Sequence, residues 1–191
     1  MKCFIPVILT LSILCFSCKH KQTEEEAEKE HWDKTVEKTI TYWQNRKMDF
    51  PTGLPVMQTD TSNFVNGKST ARQKIVAYVN GNCGICVDHL KHWKQFINDI
   101  RAKNGKCDFV FYITAENKDS FQLNIMKPLN LNVTWIYDKK DEFINKNDLT
   151  DERFQTVLLN AKDTVLMLGT MIFRPQLEEL YKQIILEKSG S

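Results

Sequence analysis

The sequence predicts an α/β fold, a three-layer sandwich around a central mixed β-sheet, preceded by an N-terminal amphipathic helix. Two observations carry this. Three short apolar runs rich in β-formers alternate with stretches of helical spacing, and a hairpin signature followed by one more helix closes the chain.

The elements follow in order. Trp32, Val36, Ile40 and Trp43 recur at spacings of four, four and three, which predicts a helix whose aromatic stripe docks on its own domain. Pro51, Gly53 and Pro55 end that pattern and open a loop-rich stretch to about Arg72. The run at 75–79 reads as a buried strand, broken by Asn80-Gly81-Asn82. Cys83-Gly84-Ile85-Cys86 then leads into Val87, Leu90, Trp93, Phe96, Ile97 and Ile100, spaced as one helix face that Lys103-Asn104-Gly105 ends. Residues 109–113 form a second strand, residues 117–126 read as helical until Pro128, and residues 133–137 form a third strand. A short helix near Glu142 to Asn145 comes next. Residues 156–159 and 164–168 flank Asn160-Ala161-Lys162-Asp163 as a hairpin. Pro175 starts a last helix with Leu177, Leu180, Tyr181, Ile184 and Ile185 on one face. No internal repeat is present.

At 191 residues the chain suits one domain of ordinary size plus extensions. Lys and Arg total 26 against 24 Asp and Glu, a net charge of +2. A nucleic-acid binder relying on a broad basic face is excluded by that balance, because phosphate contacts need clustered cations.

Six cysteines occur, at Cys3, Cys15, Cys18, Cys83, Cys86 and Cys107. Lys2 is followed by an uncharged apolar run over residues 4–16. That run is too short to span a hydrocarbon core of roughly 30 Å and has the length of a signal-peptide core. Leu14-Cys15-Phe16-Ser17-Cys18 resembles a bacterial lipoprotein signal. The resemblance implies that residues 1–17 are removed and that Cys18 is lipidated. The chain is then lipid-anchored in the bacterial cell envelope, facing the periplasm. An ordinary secretory signal cleaved nearby is the alternative, and either one exports the chain.

The strongest chemical signal is C-x-x-C between a buried strand and a helix. A helix N-terminus offers unpaired N–H groups and the positive end of the macrodipole, which stabilise a Cys83 thiolate, the form that attacks disulfides. Cys86, one turn further on, can close on Cys83 and release a mixed-disulfide partner. Zinc also uses C-x-x-C, but a structural site usually needs a second pair of ligands that this chain lacks.

Strand, C-x-x-C, long helix, then strand-helix-strand-strand-helix is similar to the thioredoxin fold over roughly residues 70–188. The mature chain further resembles a group of bacterial envelope lipoproteins with a TlpA-like, redoxin-related domain. That resemblance rests on Trp43 through Phe50-Pro51, Tyr78-Val79 with Cys83 and Cys86, Trp93, Asp141-Glu142-Phe143, the run from Phe154 to Leu159, and Gly169 to Pro175. It implies a signal peptide at 1–17, a polar tether at 18–30, an N-terminal helix and loop extension at 31–73, and a thioredoxin-like domain at 74–188. The implied activity is thiol–disulfide exchange with protein thiols and disulfides of the envelope. Cys83 would attack, Cys86 would resolve, Asn82, Gln155 and Thr156 would meet the substrate, and neither a metal nor another cofactor is needed.

Three departures accompany the resemblance. Thioredoxins carry Trp-Cys-Gly-Pro-Cys where this chain has Asn82-Cys83-Gly84-Ile85-Cys86. They bury an acid six residues before the first cysteine, a position filled here by Ala77. They place a cis-proline before the fourth strand, and the matching residue is Gln155. A non-proline cis bond costs about 3 kcal/mol, so Gln155 is expected in trans. A non-catalytic lipoprotein in which Cys83–Cys86 is a static disulfide serving binding or scaffolding is therefore the competing reading.

Other candidates carry plainer readings. His89 with Cys83 and Cys86 could form a copper or zinc set, but His89 and His92 fit surface positions of an amphipathic helix better. Cys107 reads as a small half-buried residue rather than a resolving thiol. Asn80 stands where peroxiredoxins need threonine, which disfavours peroxidase chemistry. Trp93 and Trp135 read as core, and Glu178, Glu179 and Lys182 as solvated surface.

Overall fold

The computed structural model describes residues 26–27, 29–60, 62, 64–65, 68–69 and 71–189. The signal segment, the expected lipidation residue Cys18 and most of the polar tether lie outside the described residues. The chain divides into two compact units between Tyr42 and Trp43. The first is helical over residues 29–42, in a helix (α1, residues 29–43) that runs on to Trp43. The Thr35 and Thr39 hydroxyls donate back to the carbonyls of His31 and Thr35 at 2.9 Å, so their polar groups are satisfied inside the helix. Of the predicted stripe, Trp32 and Ile40 are exposed, Val36 is half-buried and Trp43 is buried.

The described residues of the second unit form eight strands: β1 (Val56–Gln58), β2 (Phe64–Val65), β3 (Lys68–Ser69), β4 (Gln73–Asn80), β5 (Cys107–Thr114), β6 (Thr134–Tyr137), β7 (Thr156–Asn160) and β8 (Val165–Leu168). Its helices are α2 (Gly84–Ala102), α3 (Lys118–Phe121), α4 (Lys127–Leu129), α5 (Glu142–Lys146) and α6 (Pro175–Ser189). A π turn over Gln122–Met126 joins α3 to α4, and a 3₁₀ turn covers Glu152–Phe154. Six strands form one sheet in the order β1-β6-β5-β4-β7-β8, while β2 and β3 form a separate small hairpin. β4, β5 and β6 run parallel, and β1, β7 and β8 are each antiparallel to their neighbours.

The register explains the layers. Ile75, Ala77 and Val79 lie beside Phe109, Phe111 and Ile113, so a period of two lines one face with buried apolar side chains. Against that face pack Leu90, Trp93, Phe96, Ile97 and Ile100 of α2, with Tyr181 and Ile185 of α6. The Trp93 ring meets Phe96 and Phe111 edge-on at 5.9 and 5.1 Å. Each such side chain contributes about 1.5–3 kcal/mol by leaving water. On the other face Phe143 of α5 stacks on Tyr112 at 4.4 Å. Burial, with the Asp138 carboxylate nearby, pushes the Tyr112 phenol up to about 12. Asp138 is wholly buried and accepts the N–H groups of Glu142 and Phe143 at 2.8 and 2.9 Å, which anchors the start of α5. Trp93 and Trp135 are core, as expected.

Three local expectations change. The stretch before Arg72 contains β1, an edge strand pairing Val56 with Ile136 and Gln58 with Trp135 around a bulge. Helical structure continues past Pro128 to Leu129, ending at Asn130 with φ 47°. The reason lies upstream: the Lys127 N–H already reaches back to the Gln122 carbonyl, so the ladder has slipped by one residue before the proline removes a donor. Cys107 is fully buried rather than half-buried, and burial pushes its thiol far above the ordinary range. Among the described residues no helix is long and apolar enough to cross a membrane.

Candidate active site

β4 delivers the chain to Asn80 at the C-terminal edge of the parallel strands, and a tight turn carries it into α2. The turn needs glycine at position 81: its N–H donates to the Thr114 carbonyl at 2.7 Å, and an added Cβ would lie 2.7 Å from that oxygen. The Asn80 side chain accepts the Asn82 N–H at 3.0 Å, and the Asn80 carbonyl accepts the Cys83 N–H at 3.2 Å. Cys83 becomes the N-cap of α2, its sulfur accepting the Cys86 N–H at 3.3 Å. Cys83 and Cys86 are disulfide-bonded, with Cα atoms 5.2 Å apart. Both are half-buried, and Ile85 between them is 71% exposed.

A cavity of about 220 Å³ opens beside the pair, lined by Cys86, His89 and Trp93 of α2 and, across from them, by Gln155, Thr156 and Arg174. Gln155 and Thr156 therefore share the cavity lining with Cys86, whereas Cys83 does not contribute to it. Asn82 does not join that lining; it is exposed and its side-chain oxygen accepts the Glu116 N–H at 2.8 Å. No peptide bond among the described residues is cis, so Gln155 is trans, as expected. Its carbonyl accepts the Tyr78 N–H at 2.9 Å. Ala77 is buried within the core.

The far wall holds residues that spacing did not reveal. Arg153 clamps Asp151 through Nε at 2.9 Å to both carboxylate oxygens and through Nη2. The guanidinium holds the Asp151 carboxyl below its ordinary range, and that carboxylate holds Arg153 protonated in turn. Thr170 ties the wall together, its N–H donating to the Arg153 carbonyl at 2.7 Å and its hydroxyl to the Glu152 carbonyl at 2.6 Å. Tyr78 donates its hydroxyl to Asp141 at 2.7 Å; burial and that carboxylate push its phenol up. Phe173, 71% exposed and at φ 56°, stands against the rings of His89 and His92 at 5.1 and 5.5 Å. The exposed run 173–176 gave no periodic signal, so sequence alone could not separate this aromatic from ordinary core.

The histidines are more engaged than surface residues. His92 Nε2 lies 2.8 Å from Glu178, and Lys182 bonds both Glu178 at 2.7 Å and Asp99 at 3.3 Å. Glu178 and Lys182 thus form a half-buried network bridging α6 to α2 rather than solvated surface. Among the described residues no group of three His, Cys, Asp or Glu side chains is placed to hold a metal ion.

No protein-family model matches the chain, and no curated protein matches it in sequence. Solved structures match over most of the chain. One, provisionally assigned as the thiol:disulfide interchange protein DsbE of Chlorobium tepidum, has a TM-score of 0.52 at 16% identity, covering 77% of this chain and 99% of its own. A second, provisionally assigned as a protein disulfide isomerase of Bacteroides thetaiotaomicron, has a TM-score of 0.53 at 14% identity, covering 75% and 90%. The fold is thioredoxin-like. A third structure, provisionally assigned as a thiol-disulfide oxidoreductase of Bacteroides vulgatus, has a TM-score of 0.50 at 16% identity, covering 73% and 91%. The thioredoxin-like domain thus holds its cysteine pair at the strand-to-helix turn, where the fold joins β4 to α2.

Proposed function

We propose that this protein is a thiol–disulfide oxidoreductase acting on protein partners of the bacterial cell envelope. The observation that carries the reading is the Cys83–Cys86 disulfide at the start of α2, with Cys86 opening on a cavity faced by Gln155 and Thr156. In the dithiol form the Cys83 thiolate attacks a partner disulfide. One partner sulfur leaves as a thiolate, and the other stays bonded to Cys83. Cys86 then attacks Cys83, the Cys83–Cys86 bond forms, and the second partner sulfur leaves. The pair loses two electrons and the partner disulfide gains them; an external dithiol restores the reduced form. The helix N-terminus favours the Cys83 thiolate that makes the first attack. The lipoprotein-like stretch ending in Cys18 supports placing the domain on a lipid anchor facing the periplasm.

The test is the reduction potential of the Cys83/Cys86 couple together with trapping in cells by Cys86→Ser. The expected result is a couple above about −300 mV, the range of exchangeable disulfides, and mixed disulfides collected on Cys83. A lower potential with no trapped partner would leave a static disulfide in a binding or scaffolding protein.

A further inference from the structure

We propose that His89 accepts the Cys86 thiol proton when the mixed disulfide is resolved; the proposal rests on the oxidoreductase reading above. Resolution requires Cys86, half-buried in the first turn of α2, to give up its proton as it attacks. The site contains no acid at position 77, where Ala77 is buried in the core. His89 stands three residues after Cys86 on α2, the spacing that puts two side chains on one helix face, and both line the same cavity.

The other polar groups around the cavity are poorer acceptors. Arg153, clamped by Asp151, and Arg174 are cations. Tyr78 is committed as a donor to Asp141. Glu152 also lines the cavity, but it is exposed and sits on the 3₁₀ turn rather than on α2 beside Cys86. On α2 itself, Asp88 pairs with Lys91 at 2.6 Å, and His92 faces Glu178 of α6 at 2.8 Å. That leaves an imidazole, the side chain whose charge ordinarily changes near neutral pH. Phe173 stands edge-on to it at 5.1 Å and 78°. The φ of 56° at this non-glycine residue carries a backbone cost, consistent with a placement that serves the site.

The step balances. The Cys86 S–H proton passes to His89, the Cys86 sulfur attacks Cys83, the Cys83–Cys86 bond forms and the Cys83–partner bond breaks. The departing partner thiolate then takes the proton from His89.

The experiment uses the reduced full chain mixed with excess small aromatic disulfide. Formation of the Cys83–Cys86 peptide disulfide is followed by acid quench and mass spectrometry. Measurements run from about pH 5 to about pH 10, which spans the ordinary imidazole and thiol values. The expected wild-type resolution rate rises from the acid end of that range toward neutral pH. His89→Gln loses that rise and is slower near neutral pH by about a hundredfold, the low end of what a positioned base contributes. It converges on wild type above the thiol range. His92→Gln, which also borders Phe173, keeps the wild-type profile. Superimposable profiles for wild type and His89→Gln overturn the proposal, as does the same loss in His92→Gln. A wild-type chain that forms no Cys83–Cys86 disulfide at any pH overturns the oxidoreductase reading itself.

Discussion

Gly81 and Thr114 are joined at the point where the chain turns toward the cysteines: the Gly81 N–H donates to the Thr114 carbonyl at 2.7 Å, while the Phe121 ring lies 2.8 Å from the place a Cβ would take. The carbonyl belongs to β5 and cannot retreat without breaking the sheet. Gly81→Ala should therefore destabilise the fold by about 1–3 kcal/mol, the usual cost of overpacking a tight contact. Urea unfolding measures it, and an unchanged midpoint with an unchanged slope would show that the turn has slack.

Asp138 is a second point of dependence. Its two carboxylate oxygens satisfy the first N–H groups of α5 in a fully buried position. Asp138→Ala should cost about 2–3 kcal/mol, because it strands buried donors. Asp138→Asn keeps one acceptor and should cost less. Equal losses for the two variants in thermal or denaturant unfolding would contradict the capping role.

Cys107 should be silent toward alkylation in the native state. Burial disfavours its thiolate, the reactive form. After reduction, peptide mapping should find Cys83 and Cys86 labelled in the folded protein and Cys107 labelled only once denaturant is added. Native labelling of Cys107 at a comparable rate would mean that β5 opens far more readily than its burial implies.

The Glu178 network predicts an acid-side loss of stability. Burial opposes ionisation of this carboxyl, but hydrogen bonds from Lys182 and His92 outweigh it and hold the group below its ordinary value of 4.5. The folded state thus favours the carboxylate. Its contribution is present above the ordinary value and is lost as pH falls through the lower, folded value. Against Glu178→Gln, wild type should be more stable by up to about 1 kcal/mol near neutral pH. The gap should close on acidification, and a gap constant from neutral to strongly acidic pH would assign the effect to packing instead.

The parts legible in sequence are those written in local pattern. The run at 75–79, the C-x-x-C and the helix face from Leu90 to Ile100 each declare themselves within a few residues, and they assemble as read. β1 escaped because three residues after a proline, interrupted by a bulge, carry no alternation. The far wall of the cavity escaped for another reason. Arg153, Thr170 and Arg174 join Gln155 and Thr156 there only because β7 and β8 pair and Gly169 donates to Thr156 at 2.9 Å, a tertiary fact with no periodic trace. Glu178 and Lys182 looked solvated because charged residues four apart usually are; their burial comes from α2, eighty residues away.

The two margins of the sheet have a meaning beyond packing. On one side the short, bulged β1 occupies β6; on the other, Lys47 bridges Thr164, and the Val165 N–H donates to the Arg46 carbonyl at 2.8 Å. A flat, unpaired strand would invite another chain to extend the sheet. A domain with the function proposed above, which sets partner polypeptides against its disulfide, is open to such strand capture. With residues 46–58 laid along its own margins, this chain leaves the proposed exchange to the sulfurs and offers a partner's backbone little edge to pair with.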